Sequence, residues 1–230
     1  SMRGRYTADE GRALREAYLA AESSLLLAVR FDHESWRLAR NGQPAAALRR
    51  HEQLIEAEPR KAMPLVRAAA QLPKVGLVDE AAAHAERATR VEPASAWAHN
   101  MLGTVHQNDE IGRRLRGPFD RAASLKALRE AVRLDPANLD MRLNLAATAE
   151  HNAQGWRFGK GSDLDLAAEA YRFIVEKRPD WQDGTNYLIQ VLWQQRKYAD
   201  VISAADKVEN NQFTASARLA ARVKQVGADA

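Results

Sequence analysis

Four prolines recur along the chain at intervals of 34, 43 and 43 residues. They are Pro59, Pro93, Pro136 and Pro179, and each ends a short run of helix-forming residues. A fixed period in this range is typical of repeat proteins, in which each unit buries its apolar faces against its neighbours. The second and third intervals exceed the first by the same amount. We therefore expect any feature peculiar to this chain to lie in that excess.

The composition favours helices throughout. Apolar residues make up 46% of the 230 residues; most are leucine and alanine, whereas the β-branched and aromatic residues that favour strands are few. We therefore predict an all-α fold. The longest apolar runs, such as residues 25–29, are far too short to span a bilayer, and the polar start lacks a signal peptide. We expect a soluble chain without membrane insertion, in a cytoplasmic or periplasmic compartment that the sequence leaves open.

The charge and the residue counts restrict the chemistry. The chain has no cysteine, which excludes disulfides and thiolate chemistry. A formal net charge of +4 permits acidic partners, but nucleic-acid binding usually needs a concentrated basic stripe and is not expected here. Ser1-Met2 resembles an expression remnant, so the chain could be part of a longer protein.

We divide the chain into 34-residue units that each end just after one of the prolines. This division can be tested by asking whether glycines and alanines occur where two paired helices need them. In the unit 62–95 it places Gly76 at the turn between two helices, and Ala81 and Ala88 where the helices cross closely. Small residues suit such crossings because a larger side chain would not fit. The units are 28–61, 62–95, 96–138 with an insertion at 111–119, 139–181 with an insertion at 153–162, and a degenerate unit at 182–215.

The two ends should carry additional helices. Residues 1–27 are expected to contain the remnant and a leader helix. Residues 216–230 are expected to form a capping helix, with Thr214 as its N-cap, that carries Leu219, Val223 and Val226. Terminal repeats need such a cover for their exposed apolar face.

This series resembles the tetratricopeptide repeat family, of the bacterial type, over roughly residues 28–215. The resemblance implies about five stacked helical hairpins that form a right-handed superhelix, an α-solenoid whose concave groove holds an extended peptide or a partner helix. It also implies a scaffold or adaptor function in which the partner is a protein or peptide. The fold supplies the platform, and the site has to be argued separately.

In the family, the groove is lined by the first helix of each repeat at its second, fifth, ninth, twelfth and thirteenth positions. Amides that can bond a peptide backbone would then lie beside two tryptophans, a residue type that dominates many interfaces. The alternative is that the tryptophans pack between repeats. Carried onto this sequence, the lining is Trp97, Asn100, Thr104, Gln107, Asn108, Leu143, Glu150, His151, Asn186, Gln190, Trp193 and Gln194.

One known groove function of the family is not expected. Members that capture the acidic C-termini of chaperones use lysines, asparagines and an arginine in three successive repeats. This sequence has Val66 and Asn100 where lysine would be needed. The groove therefore has too little positive charge for a cochaperone.

The two insertions match each other at an offset of 43 residues. The matching pairs are Gly112 with Gly155, Arg114 with Arg157, and Asp120 with Asp163. We predict two copies of one local structure, with glycines at positive φ or in tight turns and aspartates that cap the second helices. Because successive repeats stack, the copies should be neighbours in space.

The insertion edge, as we name this region, gathers arginines and aromatics that could bind an acidic peptide, a phosphate or a stacked base. The alternative is a lengthened turn whose arginines are solvated. Its residues are Arg113, Arg114, Arg116, Trp156, Arg157, Phe158 and Lys160, with Phe119 nearby.

No motif argues for catalysis, a cofactor or a metal. Residues 155–162 resemble a phosphate-binding loop, but three residues rather than four separate the relevant glycines, Gly161 separates the lysine from the serine, and no strand is predicted before them. The six histidines never occur at the i, i+4 spacing that favours a metal site. His99 and His106 share a helix face but lack a third ligand nearby.

The sequence therefore predicts a non-enzymatic protein-interaction module that binds a peptide or helix in its groove. Two alternatives stay open. The chain could be the accessory docking region of a larger enzyme, or an RNA- or anion-binding solenoid that uses the insertion edge. Self-association through the groove or a terminal helix is also compatible with the pattern.

Overall fold

The computed structural model describes Glu34, Arg37, Leu38 and residues 41–207 and 212–228. The fold of these residues is all-α, as predicted, with ten α-helices and two isolated β-bridges. The helices are α1 (Pro44–Ala57), α2 (Ala62–Gln71), α3 (Val78–Val91), α4 (Ala96–Val105), α5 (Arg121–Leu134), α6 (Leu139–Ala149), α7 (Leu164–Lys177), α8 (Gln182–Gln194), α9 (Tyr198–Asp206) and α10 (Gln212–Ala228). The leader helix expected within residues 1–27 lies outside the described residues.

Helices α2 to α9 form four consecutive hairpins. Each hairpin pairs a first helix (α2, α4, α6, α8) with the second helix that follows it, and each second helix contacts the first helix of the next hairpin. Helix α1 precedes α2 as the second helix of an earlier unit. The result is a stack in which every internal helix buries its apolar face against neighbouring helices.

The small residues predicted at the helix crossings are confirmed. Ala81 and Ala88, both in the second helix α3, are fully buried. In the first helix α4, a Cβ at Gly103 would lie 2.5 Å from the Leu128 Cγ of α5. A larger side chain at Gly103 would force the two helices apart.

Two connections inside the hairpins are long. Linker A (residues 106–120) joins α4 to α5, and linker B (residues 150–163) joins α6 to α7. Each ends on the predicted N-cap, which is confirmed. Asp120 accepts a hydrogen bond from the N–H of Ala123 at 2.9 Å, and Asp163 accepts one from the N–H three residues further on at 3.1 Å.

The C-terminal helix differs from its prediction. It begins at Gln212 rather than near residue 216, so Thr214 lies inside the helix, where it is fully buried. Leu219, Val223 and Val226, expected to cover the stack, face solvent instead. The helix packs through small side chains such as Ala221 instead. It lies close to the preceding helices, as the first helix of a repeat does, and a larger side chain would not fit at that contact.

Among the described helices, none combines the length and the apolar character that a bilayer-spanning helix requires.

Candidate partner-binding surface

Linkers A and B share one turn. In linker A, Asp109 Oδ1 accepts hydrogen bonds from the backbone N–H groups of the second and fourth residues after it, at 3.2 and 2.8 Å. In linker B, Asn152 Oδ1 accepts the equivalent bonds at 3.1 and 2.9 Å. Gly112 and Gly155 follow at the same place with φ of 81° and 79°. The predicted copies and their positive-φ glycines are therefore confirmed.

A second backbone feature, which the sequence did not reveal, is also duplicated. Leu115 and Phe158 occupy equivalent places and adopt left-handed φ values of 54° and 60°. Such residues cost about 1–3 kcal/mol unless the surroundings hold them. Here the N–H of Leu115 donates to the Gln107 carbonyl at 2.9 Å, and the N–H of Phe158 donates to the Glu150 carbonyl at 2.6 Å.

The linkers stack on one another through their glycines. A Cβ at Gly112 would collide with the Pro73 carbonyl in the short 3₁₀ helix Leu72–Val75 of the preceding repeat. A Cβ at Gly155 would lie 2.6 and 2.7 Å from the O and N atoms of Gly117 in linker A. The N–H of Phe119 donates to a linker B carbonyl at 3.1 Å. The linkers are thus neighbours, as expected, and form a continuous edge of the stack.

Arg114 ties linker A to the next repeat. Its Nε donates to Gln107 Oε1, and its Nη2 donates to Asn144 Oδ1 in α6 at 2.8 Å. Asn144 in turn donates to Asn100 Oδ1 of α4 at 2.9 Å, and Gln107 donates to Thr148 Oγ1 of α6 at 2.6 Å. This network joins α4, linker A and α6 through polar side chains that satisfy one another.

Arg157 makes the equivalent connection from linker B. It pairs with both carboxylate oxygens of Glu150, at 2.8 and 3.1 Å, and its Nη1 donates to Gln190 Oε1 of α8 at 2.6 Å. Its guanidinium lies 4.5 Å from the centre of the Phe158 ring. Burial raises the pKa of the neighbouring Tyr171 phenol, and the negative charge of Glu150 adds to this effect. The phenol therefore stays neutral beside the ion pair.

These bonds change the expected groove lining. Asn100, Gln107 and Glu150 are buried and bonded inside the stack, so their side chains hold repeats together rather than facing a partner. The physical reason is that Arg114 and Arg157 fold back over the last turn of the first helices. Trp97 and Gln194 are exposed, and the remaining members are half-buried: Thr104, Asn108, Leu143, His151, Asn186, Gln190 and Trp193.

An apolar cavity of about 390 Å³ lies at the C-terminal end of the first-helix face. Trp193 and Phe158 form one side, and Phe213, Ser216 and Ala220 of α10 form another. The Trp193 ring packs against Tyr198 in an edge-to-face contact, with centroids 5.3 Å apart. This contact holds the indole in place at the cavity wall.

The α10 residues of this cavity were missing from the sequence prediction. The sequence-based prediction ended the last repeat at residue 215, so it treated the residues of α10 as a separate capping helix. Counted from its first helical residue, Gln212, the residues Phe213, Ser216 and Ala220 occupy the second, fifth and ninth positions, which the family pattern assigns to the groove. The signal was the same register continued one unit further.

Three of the five cations of the insertion edge, Arg113, Arg114 and Arg157, bond to side chains of the protein itself, although Arg113 is 57% exposed. Arg113 pairs with Asp109 at 2.7 Å. Burial would raise the pKa of Asp109, but hydrogen bonds from Arg113 and Ile111 and the charge of Arg113 outweigh it and lower that pKa below its usual value. Arg116, Lys160 and Trp156 remain exposed, Trp156 by 71%.

The described residues contain no group of three or more histidine, aspartate or glutamate side chains arranged to hold a metal ion.

Comparison with known proteins identifies the fold class. No family model and no curated protein sequence matches the chain. Among solved structures, MamA aligns with a TM-score of 0.58 and 16% identity over 79% of this chain and 89% of that chain. A tetratricopeptide repeat protein from Parabacteroides merdae aligns with a TM-score of 0.54 and 12% identity over 94% of this chain and 77% of that one. The described helices therefore form a tetratricopeptide-type helical-repeat fold.

A third similar structure is an assembly. The structure of Naa15/Naa10 bound to HypK aligns with a TM-score of 0.57 and 14% identity over 80% of this chain. The alignment covers only 26% of that chain. This likeness supports the fold and carries no assignment of partner.

Proposed function

We propose that this chain is a non-enzymatic scaffold that binds a peptide segment or a helix of a partner protein along its first-helix face. A bulky apolar side chain of the partner inserts into the cavity beside Trp193. The cavity is the observation that carries the proposal, because concave apolar sites with a few polar groups at their rim are typical binding sites.

The rim of the cavity supplies polar groups for a peptide backbone. Gln190 and Gln194 carry amides at its edge, and an amide can both donate a hydrogen bond to a peptide backbone and accept one from it. Trp97, 45% exposed, offers a further aromatic contact on an earlier first helix.

The alternative of RNA or anion binding receives less support. Arg114 and Arg157, the two arginines that repeat at the 43-residue offset, already bond to neighbouring repeats. A phosphate would have to compete with those bonds.

Panning a displayed random-peptide library against the folded chain tests the proposal. We expect selected peptides to share one large apolar residue and to bind Trp193→Ala at least about tenfold more weakly, since buried aromatic anchors dominate interfaces. Because Trp193 also packs against Tyr198, a second variant, Ala220→Trp, should block the same cavity from an exposed position. Its binding should fall by a similar factor.

Trp156→Ala is the matched control, since that tryptophan is exposed on linker B, outside the cavity lining. We expect it to bind selected peptides as the parent chain does. If Trp193→Ala and Ala220→Trp, both shown to be folded, bind those peptides with unchanged affinity, the cavity is not the binding site.

A further inference from the structure

Helix α10 occupies the place of a first helix of a repeat. It contacts α9 and α8, as each earlier first helix contacts the preceding hairpin. Its third and tenth residues, Thr214 and Ala221, are fully buried, as are the third and tenth residues of α6, Met141 and Thr148. The register of the repeats therefore extends through α10.

The eighth residue of a first helix faces the second helix of the same repeat. In the earlier repeats this residue is Ala69, Gly103, Ala146 or Ile189, and each is buried. The equivalent residue of α10 is Leu219, which is 66% exposed. Among the described residues, which end at 228, no second helix packs on it. Within the described residues, helix α10 thus leaves exposed the side on which a second helix packs in the earlier repeats.

The exposed surface is a continuous apolar stripe. Val223 and Val226 follow Leu219 at i+4 and i+7, so the three side chains lie on one side of the helix. Both valines are exposed, by 65% and 71%. A stripe with this spacing is the usual contact surface for a second amphipathic helix.

The charge of α10 indicates which helix would fit. The helix contains three basic residues and no acidic one. Arg218 pairs with Asp206 of α9 at 2.7 Å, whereas Arg222 and Lys224 are exposed. Arg222 is three residues from Leu219 and four from Val226, beside the stripe. A second copy of α10 would bring like charges together, and an acidic helix would bring opposite ones.

We propose that the stripe of Leu219, Val223 and Val226 binds one amphipathic helix of a partner protein, with acidic residues beside its apolar face. This helix packs on α10 as a second helix packs on the first helix in the earlier repeats. The site is separate from the cavity at Trp193.

A pair of designed peptides tests the proposal. Each is an 18-residue fluorescent amphipathic helix with leucines at i, i+3, i+4 and i+7, flanked by glutamates in one peptide and by lysines in the other. Fluorescence anisotropy with the full 230-residue chain should show binding of the glutamate peptide. Leu219→Glu should weaken it by about tenfold or more, because an apolar contact is lost and like charges are opposed.

Two variants control this measurement. Ile111→Glu alters a side chain of equal exposure on linker A and should leave binding of the glutamate peptide unchanged. Arg222→Glu should weaken the glutamate peptide by a few fold and favour the lysine peptide by a similar factor.

Several results would overturn the proposal. The proposal is wrong if neither peptide binds, if both bind equally, or if Leu219→Glu leaves binding of the glutamate peptide unchanged. Sedimentation could instead show that the chain dimerises and that Leu219→Glu dissociates the dimer. The occupant of the stripe would then be a second copy.

Discussion

Linkers A and B have the same backbone but exchange a carboxylate for an amide at two places. At the turn, linker A has Asp109 where linker B has Asn152. At the acceptor for the arginine, linker A has Gln107 where linker B has Glu150. In both linkers the residue at the turn accepts the same two backbone hydrogen bonds, and the other residue accepts a bond from the Nε of its arginine. The comparison shows that each of the two positions requires a hydrogen-bond acceptor, whereas the negative charge can be at either position.

The location of the charge still alters how firmly each linker is held. The Arg157–Glu150 contact is a two-bond ion pair whose carboxylate is buried. The Arg114–Gln107 contact is a hydrogen bond to a neutral amide. Both contacts have an ionised donor, but only the Arg157–Glu150 contact adds a second parallel hydrogen bond and the attraction between opposite charges. We therefore expect the same mutation to have different effects in the two linkers.

The largest effect should come from the glycines that the linkers have in common. Gly112→Ala and Gly155→Ala each add a Cβ against the backbone of a neighbouring segment at positive φ. We expect each to lower the free energy of unfolding by about 3 kcal/mol or more, measured by urea denaturation.

Gly161→Ala is the control for these glycines. Its φ is 94° but nothing lies within 4 Å of the added Cβ, so only backbone strain of about 1–2 kcal/mol is expected. Equal losses at Gly161 and Gly112 would show that the linkers do not depend on close stacking.

The comparison of the arginines should give the next largest effect. Arg157→Met leaves the buried Glu150 carboxylate without its cation, and we expect a loss of about 2–3 kcal/mol, reduced from that of a fully buried pair because Arg157 is partly exposed. Arg114→Met leaves only a neutral amide and should cost about 1 kcal/mol. The measurement is again urea denaturation.

A double variant completes the arginine comparison. Glu150→Leu should recover part of the stability lost in Arg157→Met, because the uncompensated carboxylate is removed. Similar losses for Arg114→Met and Arg157→Met would mean that the carboxylate of Glu150 contributes nothing beyond its role as an acceptor.

Features that repeat along the chain were predictable, because each repeat reports the same local geometry. The hairpins, the alanines Ala81 and Ala88, the caps Asp120 and Asp163, and the glycine turns all followed from periodic spacing. Helix formation and helix capping depend on residues that are close together in the sequence, so the sequence alone can predict them.

Features that depend on distant partners were not predictable. Arg114 and Arg157 reach Asn144 and Gln190, which lie 30 and 33 residues further along the chain. Nothing local distinguished these arginines from solvated ones. The orientation of α10 was misjudged because the apolar spacing of Leu219 and Val223 predicts a face but not its neighbour. The buried Ala221 was the better indication, since a close crossing requires a small residue.

The smallest expected effect concerns the other exchanged position and depends on pH. The pKa of Asp109 is lowered in the folded chain, so its charged form stabilises the fold above about pH 4, the ordinary range of an aspartate. That contribution is lost as the pH falls through the lowered pKa. Asp109→Asn keeps the turn, as Asn152 does in linker B, but removes the pairing with Arg113. We expect the variant to have a slightly lower melting temperature at pH 7, and we expect this difference from the parent chain to close as the pH falls towards 3.

Asn152→Asp, which lacks an arginine at the position of Arg113, is the matched variant. Both variants are measured by thermal circular dichroism over the same pH series. A gap between Asp109→Asn and the parent chain that stays constant with pH would show that the charge of Asp109 does not stabilise linker A.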